Sequence, residues 1–281
     1  MVENNLDIGG GVVFWTLADH TDRDKLREAF RPLDLENHVP EPRLPSAVLR
    51  DALEEVLGGS RVLVRPLADR DGFTVVREER GRTNNAYVTE LVAKVACPDP
   101  IRLDIEPLDE RASLIHDACR RHAVRIPAAQ MSAAMVRIVE SLGGTRLRPG
   151  GAVYWVPGPK LDDWTQAAEA VEKSSEGRPS AVYVLRHKLD ADAVRAVRDA
   201  VITEVRAEAS RIQTEVSSGE LGGRALETRK RQAAELRRKV NLYEDILSIA
   251  LSGLHQAVDE ADQAAAMASL LISAEPAGAV P

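Results

Sequence analysis

The sequence is poor in aromatic residues and contains no long apolar run. Phe, Trp and Tyr make up 4% of the 281 residues, whereas 44% of the residues are hydrophobic, mostly Ala, Val and Leu. This mixture favours helices around a modest aliphatic core. No window approaches the about 18 consecutive apolar residues that indicate a membrane-spanning helix. We therefore expect no membrane partner.

Cysteine is also scarce. Cys97 and Cys119 are the two cysteines, and they lie far apart without a disulfide framework. Such usage is typical of a reducing compartment. Residues 1–7 are polar and acidic and lack the basic-then-apolar pattern of a secretory leader. From these features we expect a cytoplasmic protein.

Positive charge is in short supply overall but is concentrated in two places. The net charge is −7, which would weakly repel nucleic acid. Residues 111–148 and residues 224–239 nevertheless form basic islands, each with seven basic residues against two acidic ones. This segregation gives a nucleic-acid-binding hypothesis, whose contact residues in the first island are Arg120, Arg121, Arg125, Arg137, Arg146 and Arg148.

The islands also have a plainer explanation. Acidic residues on the helix before the second island, Glu204, Glu208 and Glu215, could pair with it. The first island lies in a helix–turn–helix–hairpin order over residues 109–156, the order of a winged-helix module. In that interpretation the helix at 127–142 enters a major groove. It exposes few base-reading side chains, however, so an ordinary α+β segment with a basic edge is the alternative.

The last third of the chain carries the clearest pattern, a heptad series of apolar residues. Apolar residues recur at alternating steps of three and four residues, which together make a seven-residue repeat. This spacing predicts one apolar seam on a long helix over about 224–271. A second stripe, from Val194 to Val216, predicts a preceding helix, capped by Asp190 or Asp192 and ended by Ser217-Ser218-Gly219. Two adjacent apolar helices favour an antiparallel coiled-coil hairpin. The seam residues expected at the partner interface are Leu226, Leu236, Val240, Tyr243, Leu247 and Leu254.

The first 189 residues predict a mixed α+β body. Alternating or β-branched runs indicate strands at 12–17, 61–65, 73–79, 87–95, 101–106 and 181–187, and a hairpin near 145–156. Periodic stretches indicate helices near 46–58, 109–122, 127–142 and 161–174. Thr21 is expected to cap a short helix that ends near Phe30. The fold class predicted is therefore α+β, with a mixed or antiparallel sheet body, flanking helices and the C-terminal coiled-coil hairpin.

Candidate chemistry is sparse. The run Gly9-Gly10-Gly11 precedes a strand, whereas phosphate loops follow one and open a helix. His116, Cys119 and His122 share a helix, but no second segment supplies the further ligands of a zinc site. No nucleophile elbow is recognisable. We therefore predict no catalytic, cofactor-binding or metal-binding residue, and no cofactor.

These observations lead to one functional hypothesis and one alternative. We expect a body at 1–189, with a winged-helix-like segment at 109–156, a helical hairpin at 190–272 and a disordered tail at 273–281. The hypothesis is a non-enzymatic interaction or scaffold protein that docks a protein partner or forms a homo-oligomer through the hairpin. The alternative is a nucleic-acid-binding protein that uses the islands at 111–148 and 224–239.

Overall fold

The computed structural model describes residues 9–69, 71–80, 85–98, 101–148, 151–219, 221–247 and 251–274. The chain forms two compact units. Residues 17–134 and 173–179 are called the central unit here, and residues 1–16, 135–172 and 180–281 the terminal unit. The predicted boundary between 189 and 190 therefore differs from this division. The difference arises because the first strand and residues 135–172 belong with the C-terminal helices.

Up to residue 190 the chain contains both strands and helices, and the elements described after it are helices. The strands are β1 (Gly10–Thr16), β2 (His20–Asp22), β3 (Val62–Pro66), β4 (Gly72–Arg80), β5 (Asn85–Pro98), β6 (Ile101–Glu106), β7 (Arg125–Pro127), β8 (Thr145–Arg146), β9 (Tyr154–Pro157), β10 (Ser175–Glu176) and β11 (Ala181–His187). The helices are α1 (Arg23–Phe30), α2 (Pro45–Leu57), α3 (Ala112–Val124), α4 (Ala128–Ser141), α5 (Leu161–Lys173), α6 (Ala191–Ser217), α7 (Gly223–Leu247) and α8 (Ser252–Ala274). The predicted α+β class, with antiparallel sheets and C-terminal helices, is confirmed.

The central unit is built on an antiparallel sheet in the order β3-β4-β5-β6. Its strands alternate, so that Val64, Val75 and Leu91 point to one face, where α2 and α3 cover them. Leu63, between two inward residues, is exposed on the other face. Pro45 opens α2, because its ring fixes φ for a first helical turn and no N–H is lost there.

A small second sheet in the central unit has the order β10-β2-β7. The helix α1 follows β2 directly, and its cap is Asp22, whose Oδ1 accepts hydrogen bonds from the N–H groups of Asp24 and Lys25, both at 3.0 Å. The prediction that Thr21 caps this helix is wrong. Thr21 is a fully buried strand residue, and the next side chain is the first that can reach the free N–H groups.

The terminal unit contains an antiparallel sheet in the order β11-β1-β9-β8. One face carries Trp15, which stacks on Tyr154 at 5.4 Å between ring centroids and lies against Trp164 of α5. Val12 and Trp155, on the opposite face, join the core of the C-terminal helices. Gly10 permits this arrangement, since an added Cβ would lie 2.3 Å from the Trp155 ring.

The C-terminal helices pack as a group of three. Asp190 caps α6 by accepting a hydrogen bond from the N–H of Ala193 at 2.8 Å. It is the first of the two residues predicted to cap this helix, Asp190 or Asp192. The helix ends at Ser217, and Gly219 takes a positive φ of 72°. The stretch predicted as one second arm is divided into α7 and α8, and α8 packs against both α6 and α7. Residues 275–281, most of the predicted disordered tail, lie outside the described residues.

Candidate functional site

The six predicted interface residues lie inside the terminal unit. Leu226, Leu236, Val240, Tyr243, Leu247 and Leu254 are all buried, none more than 7% exposed, and all belong to one hydrophobic cluster with the inward residues of α6 and α8. Burial of one such side chain contributes about 1.5–3 kcal/mol to folding. The predicted seam therefore holds the three helices of this chain together, and its residues are covered by their own neighbours.

A polar network fixes the turn after α4 against these helices. Tyr243 donates from its hydroxyl to the carbonyl of Gly143 at 3.0 Å, and Lys239 Nζ donates to the carbonyl of Gly144 at 2.7 Å. Lys239 also pairs with Glu204 of α6, which accepts a further hydrogen bond from Thr145 Oγ1 at 2.6 Å. Burial raises the pKa of Tyr243 well above its ordinary value, so the phenol stays a donor.

The outer side of α8 carries a short second apolar stripe. Leu270 lies three and four residues after Met267 and Ala266, so the three side chains share one helix face. Met267 is 67% exposed and Leu270 is 70% exposed. The buried residues of the same helix, on its opposite face, are Leu254, Val258, Ala261 and Ala265. We call the three exposed residues the outer α8 stripe. The heptad seam ends at Leu254 and does not include them.

Three of the predicted nucleic-acid contacts lie in the central unit, where carboxylates neutralise them. Arg120 pairs with Asp117 and Arg121 with Glu55. Arg125 Nε lies 2.9 Å from a carboxylate oxygen of Glu176. The fourth arginine of the first island in this unit, Arg111, pairs with Asp109 at 2.7 Å. These four cations therefore present little free positive charge.

The other three predicted contacts, Arg137, Arg146 and Arg148, lie in the terminal unit. Within the described ranges, no carboxylate is at ion-pair distance from any of them. Arg146 donates to the hydroxyl of Tyr154 at 3.0 Å, and its guanidinium carbon lies 5.4 Å from the centre of that ring. The segment 109–156 has the predicted order of elements but is shared between the two units.

Most of the second island is paired within the terminal unit. Arg229 Nε lies 2.6 Å from Glu215, and Lys239 pairs with Glu204. Two of the three glutamates suggested as partners of this island therefore pair with it. The third, Glu208, pairs with Arg211 of its own helix instead. The remaining ion pairs join Lys230 to Glu227, Arg231 to Glu235, and Arg237 to Asp259 and Asp262. Five of the seven cations are thus neutralised.

The residues weighed as a metal site have different surroundings in the central unit. Burial raises the pKa of the Cys119 thiol to about 11, which keeps it protonated and unreactive. His122 Nε2 lies 2.9 Å from Glu55, and burial lowers the pKa of this histidine. Across the described residues, no group of three or more His, Cys, Asp or Glu side chains is placed to hold a metal ion.

Comparison with known proteins places the chain in a family. Residues 9–276 match the model of a Family of unknown function (DUF6744), and the chain belongs to that family. No curated protein and no solved structure matches the chain. Among the helices that the structure describes, none combines the length and apolar character needed to cross a membrane.

Proposed function

We propose that this chain is a non-enzymatic interaction protein that forms a homo-oligomer through its C-terminal helices, with the outer α8 stripe as the contact surface. The observation that carries the proposal is the exposure of Met267 and Leu270 on a helix whose opposite face is already buried. Exposed apolar side chains that adjoin on one face, rather than single ones, are typical of protein contact sites. We also propose that α6 and α7 pair as a coiled coil, because both carry apolar residues at heptad spacing. A cytoplasmic location belongs to the same proposal.

A second copy of the chain is the favoured partner. The stripe begins with Ala266, whose small side chain allows another helix to approach closely, and it continues with two long side chains, Met267 and Leu270, that can fill the space between helices. The same side of α8 bears Glu260 two turns before Met267. An antiparallel contact between two α8 helices keeps the acids of the two copies apart, and it has the two-fold symmetry common in homodimers.

Light scattering of purified protein tests the proposal. The wild type is expected to have a mass well above the 30.6 kDa of one chain, whereas the double variant Met267→Asp/Leu270→Asp should have the mass of a monomer and unchanged helicity. A matched control places aspartate at Leu108 and Leu114, which are exposed in the central unit. A monomeric wild type, or a control that dissociates equally, would contradict the proposal.

The nucleic-acid alternative has narrower support. Four of seven cations in the first island and five of seven in the second have a carboxylate at ion-pair distance. An exposed ion pair leaves little net charge to attract a polyanion. A nucleic-acid role is therefore proposed only through the cations that have no such partner in the described ranges: Arg137, Arg146, Arg148, Arg224 and Arg238.

A further inference from the structure

A cleft of about 1450 Å³ opens in the terminal unit. One wall is a face of α6 from Ala196 to Arg211, a second is α7 from Gln232 to Leu242, and a third runs from Arg137 to Tyr154. The volume exceeds the roughly 300–1,000 Å³ of common small-molecule sites. At 1.5 Å per residue, the α6 wall is about 22 Å long, so the cleft suits an extended ligand.

Most charges in the cleft cancel in pairs. Lys239 pairs with Glu204 and Arg211 with Glu208. Lys160 pairs with Asp163, just outside the lining residues. Of the other lining acids, Asp199 pairs with Arg198 and Glu235 pairs with Arg231. These groups form the walls without giving the cleft a net charge.

The charges that do not cancel are mostly positive. Arg137, Arg146 and Arg238 line the cleft, are exposed, and have no carboxylate at ion-pair distance within the described part of the chain. Glu140, also in the lining, has no cation at ion-pair distance among the residues that the structure describes. Loss of water together with the neighbouring Glu204 raises its pKa. Three cations against one carboxylate leave a surplus of positive charge. Arg137 and Arg146 come from the first basic island and Arg238 from the second.

The chemistry of these groups favours phosphate. A guanidinium offers a planar fork of N–H donors that matches two phosphate oxygens. The wall between the arginines is lined by the half-buried Leu142 and Leu147, which can contact sugars or bases without selecting a sequence. A positively charged groove that follows the backbone is one of the features by which proteins bind single strands.

We propose that this cleft binds the phosphate backbone of a single-stranded nucleic acid through Arg137, Arg146 and Arg238, without sequence preference. The inference goes beyond self-association and does not depend on the outer α8 stripe. Its steric consequence is that a duplex, which is wider and stiffer than a single strand, binds less well than a single strand. Its electrostatic consequence is a steep dependence on salt, with a slope of about −0.7 per phosphate contact.

Fluorescence anisotropy with a labelled thymidine oligonucleotide tests the proposal on the full-length protein. The double variant Arg137→Ser/Arg238→Ser should weaken binding at low salt by about tenfold or more and flatten the salt slope. Glu140→Gln should tighten binding by about threefold, because it removes the opposing carboxylate. The matched control is Arg120→Ser/Arg195→Ser, which removes the same charge from exposed sites outside the cleft.

Three outcomes would overturn the proposal. They are no binding of the oligonucleotide at low salt, an equal loss of affinity in the cleft variant and in the control, and equal affinity for a duplex of the same sequence. Competition experiments test other anionic ligands, namely polyglutamate and inorganic polyphosphate. If either displaces the labelled strand at a lower concentration than unlabelled thymidine oligonucleotide does, the cleft is assigned to that ligand instead. Circular dichroism of every variant establishes that a loss of binding is not a loss of fold.

Discussion

The central and terminal units differ in how far their basic and apolar side chains are paired or covered by other residues of the same unit. In the central unit, the four arginines of the first basic island are each neutralised by a carboxylate, and α2 and α3 bury one face of the large sheet. In the terminal unit, three arginines in one cleft lack such a partner within the described residues, and α8 leaves an apolar stripe uncovered. The central unit also exposes Leu108 and Leu114. In the terminal unit, however, the exposed groups are gathered in one cleft and on one helix face, where they can contact a partner together, so binding is expected there.

The cores of the two units also differ in kind. The central core joins strands to helices, with Val75 and Leu91 against α2 and α3. The terminal core is mainly helix against helix, and the sheet adds Val12 and Trp155. Helices held together by such a seam depend on every apolar position along it, because an isolated helix is marginal in water.

The largest effect is expected from a charge in the terminal core. Val240→Asp places a carboxylate at a fully buried position between three helices, and it should lower the free energy of unfolding by about 4 kcal/mol or more. Urea unfolding followed by circular dichroism measures the loss. The neighbouring exposed Asn241→Asp introduces the same side chain outside the core, and a similar loss there would contradict the assignment of the seam.

A smaller effect separates a buried ion pair from a surface one. Lys239→Met removes the cation from Glu204 and the donor from the carbonyl of Gly144, and it should cost about 1–3 kcal/mol of stability. Arg120→Met breaks the exposed pair with Asp117 in the central unit and should cost no more than about 0.5 kcal/mol. Equal losses by thermal unfolding would mean that the network around the α4–β8 turn is not structural.

The smallest effect is a pH dependence in the central unit. Burial lowers the pKa of His122 below its ordinary 6.5, with Arg125 acting in the same direction and Glu55 and Asp51 opposing. Below pH 6.5 the unfolded state therefore binds more protons than the folded state, so stability is present above that pH and falls as the pH drops towards the folded pKa. We expect this loss of stability to be smaller than the loss caused by Lys239→Met.

Comparison of wild type with His122→Gln checks this sign. Urea unfolding at neutral and mildly acidic pH, above the range where carboxylates titrate, should show a shallower decline for the variant. A decline of the same steepness would assign the pH dependence to other groups. Glu55 is distinguishable, since the Arg121 guanidinium lowers the pKa of that carboxyl and its contribution is lost only at lower pH.

Sequence periodicity was sufficient for the cores but not for the exposed surfaces. The strand alternation of Ile101, Leu103 and Ile105 and the heptads from Leu226 to Leu254 reflect burial, which is what periodicity records. The break between α7 and α8 escaped it, because Leu247 and Leu254 keep a seven-residue spacing across the break. Ser252 and Gly253, weak helix formers at the start of α8, were the local signal.

The candidate site was harder to predict for a physical reason. The distribution of Arg137, Arg146 and Arg238 along the chain says nothing about which carboxylates reach them, since ion pairs form between residues distant in sequence. Lys239 and Glu204, 35 residues apart, are an example. The sequence therefore reveals where basic residues are concentrated along the chain. Which of these cations have a carboxylate partner depends on the folded structure.

Site-directed disulfide formation tests the central claim, self-contact of the outer α8 stripe, most directly. Ala266→Cys would be combined with Cys97→Ser, while Cys119 remains because it is buried and its thiol pKa is raised. Mild oxidation should give a covalent dimer in high yield, and Arg120→Cys in the same background, exposed in the central unit, should not. A persistent monomer for Ala266→Cys, or equal cross-linking of both variants, would contradict the account.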